Sequence, residues 1–209
     1  MKLKVCGMKY KDNLEAILAL KPDYIGFIFY RKSDRFYDGE YIPFPENIQK
    51  AGVFVNESFA EITRIIYRHK LDVVQLHGDE TDGYCNELKQ YYPELKIWKA
   101  FAVNQDFDWE IPAFYCAADA FLFDAKGEKY GGNGFKFDWE MLGNYKLELD
   151  KEIILSGGIS EDDIPLIYDL QKQIPQLKTV DINSRFEIKT GLKDVELVKC
   201  FYEKLKLIR

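Results

Sequence analysis

At 209 residues, 47% of them hydrophobic and 31% charged, the chain is long enough to bury one substantial core, and no shift in composition marks a second domain. Its net charge of −6 argues against a phosphate-backbone partner such as nucleic acid, while leaving room for a locally positive pocket that takes a small anion. The opening MKLKVCGMKYKDNL lacks a signal-like apolar run, and no stretch of about 18 apolar residues occurs to span a bilayer, so a cytoplasmic location with no membrane partner is expected.

Along the chain, short β-rich runs alternate with longer segments of helical period. LKVC (3–6) leads to DNLEAILAL (12–20), and YIGFIF (24–29) leads to a stretch at 30–50 with two prolines, an Asp-Gly turn and little helical period. GVFV (52–55) precedes a helical pattern at 58–70, and VVQLH (73–77) precedes one at 80–92. KIWKAFAV (96–103) opens a less regular unit containing Ile111 and Pro112, and AFLFDA (120–125) runs through a glycine-rich loop into FDWEMLGNY (137–145). EIILSGG (152–158) leads to a helix over 160–174, and LKTVDIN (177–183) to one over 193–207. Eight apolar strands, each followed by a helical or helix-like segment, predict an α/β (βα)8 TIM barrel, one compact domain over 1–209 with irregular second and fifth βα units. An open doubly wound sheet would carry a Gly-rich turn after its first strand, and KVCGMKYKD has a single glycine there.

In such a barrel, function gathers where strands end and βα loops begin. The strand-end positions are Cys6, the loop from Tyr30 to Arg35, Asn56, His77, Val103, Asp124, Ser156 to Gly158 and Asp181 to Ser184. SGG at 156–158 and DINS at 181–184 end strands seven and eight, whose loops often bind phosphate in this fold, and small residues let backbone N–H groups approach an anion. Gly157 and Gly158 alone would equally serve a tight turn. Asp124 stands at the end of an apolar run beneath a loop with glycines at 127, 131, 132 and 134, a setting for a general acid under a closing cover; out of context it would equally cap a helix.

Cys6, inside the barrel mouth, suits a nucleophile or a base if cations such as Lys4 or Arg35 favour its thiolate, and the absence of a Cys-His motif points to the base. Lys4 shares its strand face and requires a buried partner. The planar guanidinium of Arg35 is suited to a bidentate grip on a substrate carboxylate. His77 reads as a structural histidine or as an orienting group. Cys85, Cys116 and Cys200 read as packing residues, and with two histidines and no CxxC spacing neither a metal site nor a disulfide framework is expected.

KVCG (4–7), GFIFY (26–30) with KSDR (32–35), GVFVN (52–56), VVQLHG (73–78), FDA, YGGNG and FDW between 123 and 139, LSGGI (155–159) and VDINS (180–184), in this order, resemble the phosphoribosylanthranilate isomerase family of tryptophan biosynthesis. The resemblance implies an Amadori rearrangement of N-(5-phosphoribosyl)anthranilate without metal or organic cofactor. It implies Asp124 as the acid that opens the ring and Cys6 as the base at C2. Arg35 would hold the anthranilate carboxylate, Gly157, Gly158, Asn183 and Ser184 the phosphate, and Asp181 a sugar hydroxyl or the ligand's orientation. Arg185 stands where the family usually has glycine, and Lys9 where threonine is common. The small phosphosugar-anthranilate substrate is the expected partner, with the protein a monomer or weak homodimer. A phosphosugar isomerase using two aspartates would not need Cys6 opposite Asp124, and a non-catalytic phosphosugar-binding subunit would need neither.

Overall fold

Parallel strands covered on both faces by side chains read as near-continuous apolar runs, and the runs of this chain pair in that way. The computed structural model describes residues 1–125, 137–144 and 151–208. Within them, β1 (Lys2–Cys6), β2 (Tyr24–Ile28), β3 (Gln49–Phe54), β4 (Val73–Leu76), β5 (Lys96–Val103), β6 (Ala120–Ala125), β7 (Glu152–Leu155) and β8 (Leu177–Ile182) form a closed barrel. Each strand pairs in parallel with the next, and β1 closes the ring against β8 through Leu3 opposite Val180 and Lys4 opposite Asp181. Helices α1 (Lys11–Ala19), α2 (Phe59–His69), α3 (Asp82–Tyr91), α4 (Ile164–Gln173) and α5 (Val195–Leu205) follow β1, β3, β4, β7 and β8.

The two-residue period of a strand sorts its side chains between two cores. Leu3, Val5, Phe121, Phe123, Ile153, Leu155, Val180 and Ile182 point outward and pack with helix residues such as Leu14, Ile17, Ile62, Leu88 and Phe201. Tyr24, Ala51, Val73, Trp98, Ala120, Leu122 and Ile154 fill the lumen, where Tyr24 meets Trp98 edge-on at 4.8 Å between centroids. Continuing the inward phase toward the strand ends brings Cys6 two residues after Lys4, Asp124 two after Leu122, and Ser156 two after Ile154. Alternation alone therefore delivers these groups to the barrel mouth.

The second and fifth units are irregular, as the sequence predicts, and the elements depart from expectation at three further points. No helix follows β2. Phe36 instead bridges to Ile28, Tyr37 N donates to Ile28 O at 2.8 Å, and the rings of Tyr37 and Phe44 lie on Phe27 at 4.4 and 6.0 Å, so aromatic side chains of the loop cover the barrel where a helix would stand. Beneath the rings of Tyr41 and Phe44 sits the Lys50 ammonium, at 4.3 and 4.9 Å. The irregular fifth unit holds one 3-10 turn, Ile111–Phe114. The helix expected at 137–145 is also 3-10, over Trp139–Asn144, and this short segment runs into Gly143 and Asn144, both poor helix formers. Strand seven ends at Leu155 rather than running to residue 158, because Gly157 and Gly158 adopt left-handed φ values of +90° and +65°. An unexpected hairpin, β9 (Glu187–Lys189) with β10 (Leu192–Lys193), stands between β8 and α5.

Candidate active site

The ends of the strands surround a pocket that is open at its mouth. All eight residues singled out from the sequence line it: Cys6, Arg35, Asp124, Gly157, Gly158, Asp181, Asn183 and Ser184. His77 joins them, as does Arg185 at the position where glycine was expected. Of the other strand-end positions, Val103 and Asn56 lie outside. Asn56, with a left-handed φ of 51°, instead locks the neighbouring loop through Asp79 N to its Oδ1 at 2.7 Å. The loop at 126–136, expected to cover Asp124, lies outside the described residues.

Cys6 is buried at the end of β1, opposite Gly26 of β2. Burial pushes its thiol pKa up, because a thiolate loses more solvation there than Lys4 and Lys193 return. The condition for a resting thiolate, that nearby cations outweigh burial, is not met, and Cys6 rests as the thiol. The partner that Lys4 requires is Asp181, whose Oδ2 lies 2.7 Å from Nζ, both side chains being almost inaccessible. Burial works against the Lys4 ammonium, but Asp181 and then the Cys6 sulfur together hold its pKa above the ordinary lysine value. The other oxygen of Asp181, Oδ1, is buried and has no hydrogen-bond partner among the described residues, and Asp181 is one of the residues lining the pocket.

Asp124, at the end of β6, accepts from the Ala125 N–H at Oδ1 (2.9 Å), while Oδ2 lies 3.4 Å from Nε2 of His77. Gln75, two residues below His77 on β4, donates its side-chain amide to Nδ1 at 2.8 Å. With Nδ1 accepting, the neutral ring carries its hydrogen on Nε2, facing Asp124. Gln75 and His77 thus orient the carboxyl group. The loop bearing His77 is itself pinned by Glu80, which accepts from Asn56 N (2.7 Å) and Gly78 N (2.9 Å) and pairs with buried Lys99 at 3.4 Å.

Gly157 passes so close to this carboxyl that an added Cβ would come within 2.7 Å of Ala125 N and 2.9 Å of Asp124 Oδ1. The next helical segment starts with a capping box: Ser160 N and Oγ both donate to Asp163 Oδ2, at 2.7 and 2.9 Å. Its first turn is therefore satisfied internally, and it is the loop from Ser156 to Ile159 that lines the pocket. Across from it, Asn183 and Ser184 lead into a single 3-10 turn, Ser184–Phe186.

Two functional-looking groups carried no sequence signal. Glu187, in β9, accepts from Arg35 at both oxygens, with Nε at 2.9 and 3.2 Å and Nη2 at 2.7 Å. Lys193, in β10, reaches Glu187 Oε1 at 2.8 Å and Asn183 Oδ1 at 2.6 Å. Burial pulls the Lys193 pKa down to about 8 against the pull of Glu187. Nothing local in this stretch shows that Glu187 meets Arg35, 152 positions earlier.

The chain's relatives share this arrangement of strands. Residues 3–204 match the family described as N-(5'phosphoribosyl)anthranilate (PRA) isomerase. A protein of Caldanaerobacter subterraneus subsp. tengcongensis named N-(5'-phosphoribosyl)anthranilate isomerase is 36% identical over 211 residues, covering 99% of this chain and 98% of that one. The crystal structure of phosphoribosyl anthranilate isomerase from Thermotoga maritima superposes with a TM-score of 0.83 at 27% identity, covering 99% of this chain and 98% of the other. A phosphoribosyl anthranilate isomerase solved in complex with reduced 1-(o-carboxyphenylamino)-1-deoxyribulose 5-phosphate does so at 0.80 and 25% identity, with the same coverage. By sequence over nearly its full length and by fold, this chain belongs to the N-(5'-phosphoribosyl)anthranilate isomerase family.

Proposed function

We propose that Cys6 and Asp124 carry the family's isomerisation, the Amadori rearrangement of N-(5-phosphoribosyl)anthranilate to 1-(2-carboxyphenylamino)-1-deoxyribulose 5-phosphate, by general acid-base catalysis. The observation that supports this most is the convergence of a β1 thiol and a β6 carboxyl on one pocket walled by the Ser156–Gly158 and Asn183–Ser184 loops.

Asp124 gives a proton to the furanose ring oxygen as the C1–O bond breaks, and the anthranilate nitrogen lone pair closes onto C1 to leave a cationic imine. That charge, one bond from C2, makes the C2 hydrogen acidic, and the ionised sulfur of Cys6 removes it. The electron pair moves between C1 and C2 and quenches the imine, giving an enolamine that tautomerises to the ketose. The resting thiol of Cys6 first releases its proton to water in the open pocket, and only then is the sulfur a base. Lys4, Lys193 and Arg35 all act on the sulfur, and the imine adds a positive charge when the thiolate is needed. Arg35 takes the anthranilate carboxylate. Gly157, Gly158, Asn183 and Ser184 hold the phosphate, with Arg185 at their edge, and Oδ1 of Asp181 accepts from a sugar hydroxyl. No metal or organic cofactor has a part in these steps. The protein acts as one domain over 1–209, in the cytoplasm, as a monomer or weak homodimer.

The test is loss of anthranilate fluorescence when purified protein meets freshly generated phosphoribosylanthranilate in the presence of a chelator. Cys6→Ser and Asp124→Asn are each expected to lower kcat at least ~100-fold with thermal unfolding little changed. Turnover near wild type in either variant removes that residue from its role.

A further inference from the structure

Arg35 rides on the long loop after β2, which has no helix of its own, yet its side chain is not left to solvent. Only 14% of that side chain is accessible, and its Cδ lies where a Cβ on Gly7 would come within 2.8 Å. Glu187 takes the Nε and Nη2 hydrogens on one edge of the guanidinium. A guanidinium has five N–H donors in a rigid plane, so a carboxylate on that edge leaves the Nη1/Nη2 end for a second planar acceptor. Glu187 is itself held. Lys193 Nζ and Gly191 N donate to its Oε1 at 2.8 and 3.0 Å, and Asn13 fixes the Lys193 backbone through 2.8 Å bonds to both its N–H and its C=O.

We infer that Glu187, braced by Lys193, is a positioning residue for substrate: it fixes Arg35 edge-on so that the guanidinium's outer end meets the aryl carboxylate. The inference rests on the assignment of Arg35 to that carboxylate. Because Lys193 also binds O and Oδ1 of Asn183, at 3.2 and 2.6 Å, the same ion cluster ties the carboxylate end of the site to the phosphate loop. Substrates lacking the carboxylate gain nothing from this brace, so its contribution is to specificity rather than to proton transfer.

Removing Glu187 alone would strand the buried Lys193 cation and risks unfolding. The charge-neutral pair Glu187→Gln with Lys193→Met avoids this. The readout is the ratio of dissociation constants for two ligands, reduced 1-(o-carboxyphenylamino)-1-deoxyribulose 5-phosphate and its phenylamino counterpart without the carboxyl group. Both Arg35→Ala and the Glu187→Gln/Lys193→Met pair are expected to lower the preference for the carboxyl-bearing ligand at least ~10-fold, and combining them to lower it no further. General damage to the pocket or to the Asn183 loop would weaken both ligands alike and leave the ratio unchanged. If Arg35→Ala reduces the preference and the pair does not, the role of Glu187 is overturned while that of Arg35 stands. An unchanged preference in Arg35→Ala overturns both.

Discussion

Gly26 and Cys6 face each other across the β1–β2 ladder at a separation that admits no side chain: a Cβ on Gly26 would lie 2.7 Å from the Cys6 sulfur and 3.1 Å from Cε of Lys4. The glycine is thus the space into which the thiol and the lysine stem extend. Gly26→Ala is expected to push the sulfur off its position and lower kcat at least ~10-fold, since misplacement of about 1 Å costs more than that in proton transfer. The variant should still bind the reduced product analogue within a fewfold of wild type. Wild-type kcat would mean that the sulfur position does not limit the chemistry.

The resting state of Cys6 is open to direct titration. Because burial pushes its pKa up, alkylation by iodoacetamide in the free protein should be slow at neutral pH and should rise only above the ordinary thiol range. The exposed thiols of Cys116 and Cys200 serve as internal references by peptide mapping. If Cys6 reacts with a midpoint below theirs, the thiolate is already formed before substrate arrives.

Lys4 and Asp181 form the ion pair beneath that thiol. Lys4→Met leaves a buried carboxylate without its counter-charge and should destabilise by roughly 3–5 kcal/mol. Adding Asp181→Asn should return much of that stability, since the pair is then removed together, but should not return activity, because the Asp181 carboxylate charge and the cation below the sulfur are both lost. Urea unfolding beside turnover separates the two effects. Recovery of turnover in the double variant would show that neither charge is used in the reaction.

Acid sensitivity should be set in part by His69, buried against Phe29 and Tyr37 at 5.0 and 5.8 Å, with its pKa lowered to about 4 by burial and then by Arg68 and Lys50. The unfolded chain takes up this proton near pH 6.5 and the folded chain only near 4. His69 therefore costs nothing above about pH 7 and progressively favours unfolding as pH falls between those values. About 2 kcal/mol should be lost between pH 7.5 and 5, an order-of-magnitude figure. His69→Phe should flatten that part of the urea-midpoint profile. A profile of the same slope in the variant would assign the acid sensitivity to other groups.

The barrel and the residues that converge at its mouth were legible because both follow from local rules. Buried parallel strands are apolar runs, and period two then places Cys6, Asp124 and Asp181 on the inner face at strand ends. What was not legible depends on distant partners. The Lys4–Asp181 pair spans 177 positions and becomes visible only when β1 meets β8, and the Glu187 grip on Arg35 spans 152. The hairpin that presents Glu187 has strands of three and two residues, too short to show a period. In the second unit the aromatic residues of 36–44 contain no helical repeat, yet they do a helix's covering work with rings. His77 read as easily as a structural residue because Gln75, which sets its tautomer, looks in sequence like an ordinary polar intrusion in a strand.

Closure of β1 against β8 sets an order of assembly during synthesis. β1 leaves the ribosome first, but one of its two edges has no partner until β8 follows, more than 170 residues later. For most of translation Lys4 lacks its counter-ion and the Cys6 strand remains an open edge, able to pair with another nascent chain. A chain stalled before residue 177 would carry the Cys6 and Asp124 strands and still lack the Lys4 counter-ion, the Asn183 loop and the Glu187 brace. Premature termination should therefore yield aggregation-prone and inactive fragments rather than partly active ones, and chaperones that shield open strand edges should bear most on this chain's first and last strands.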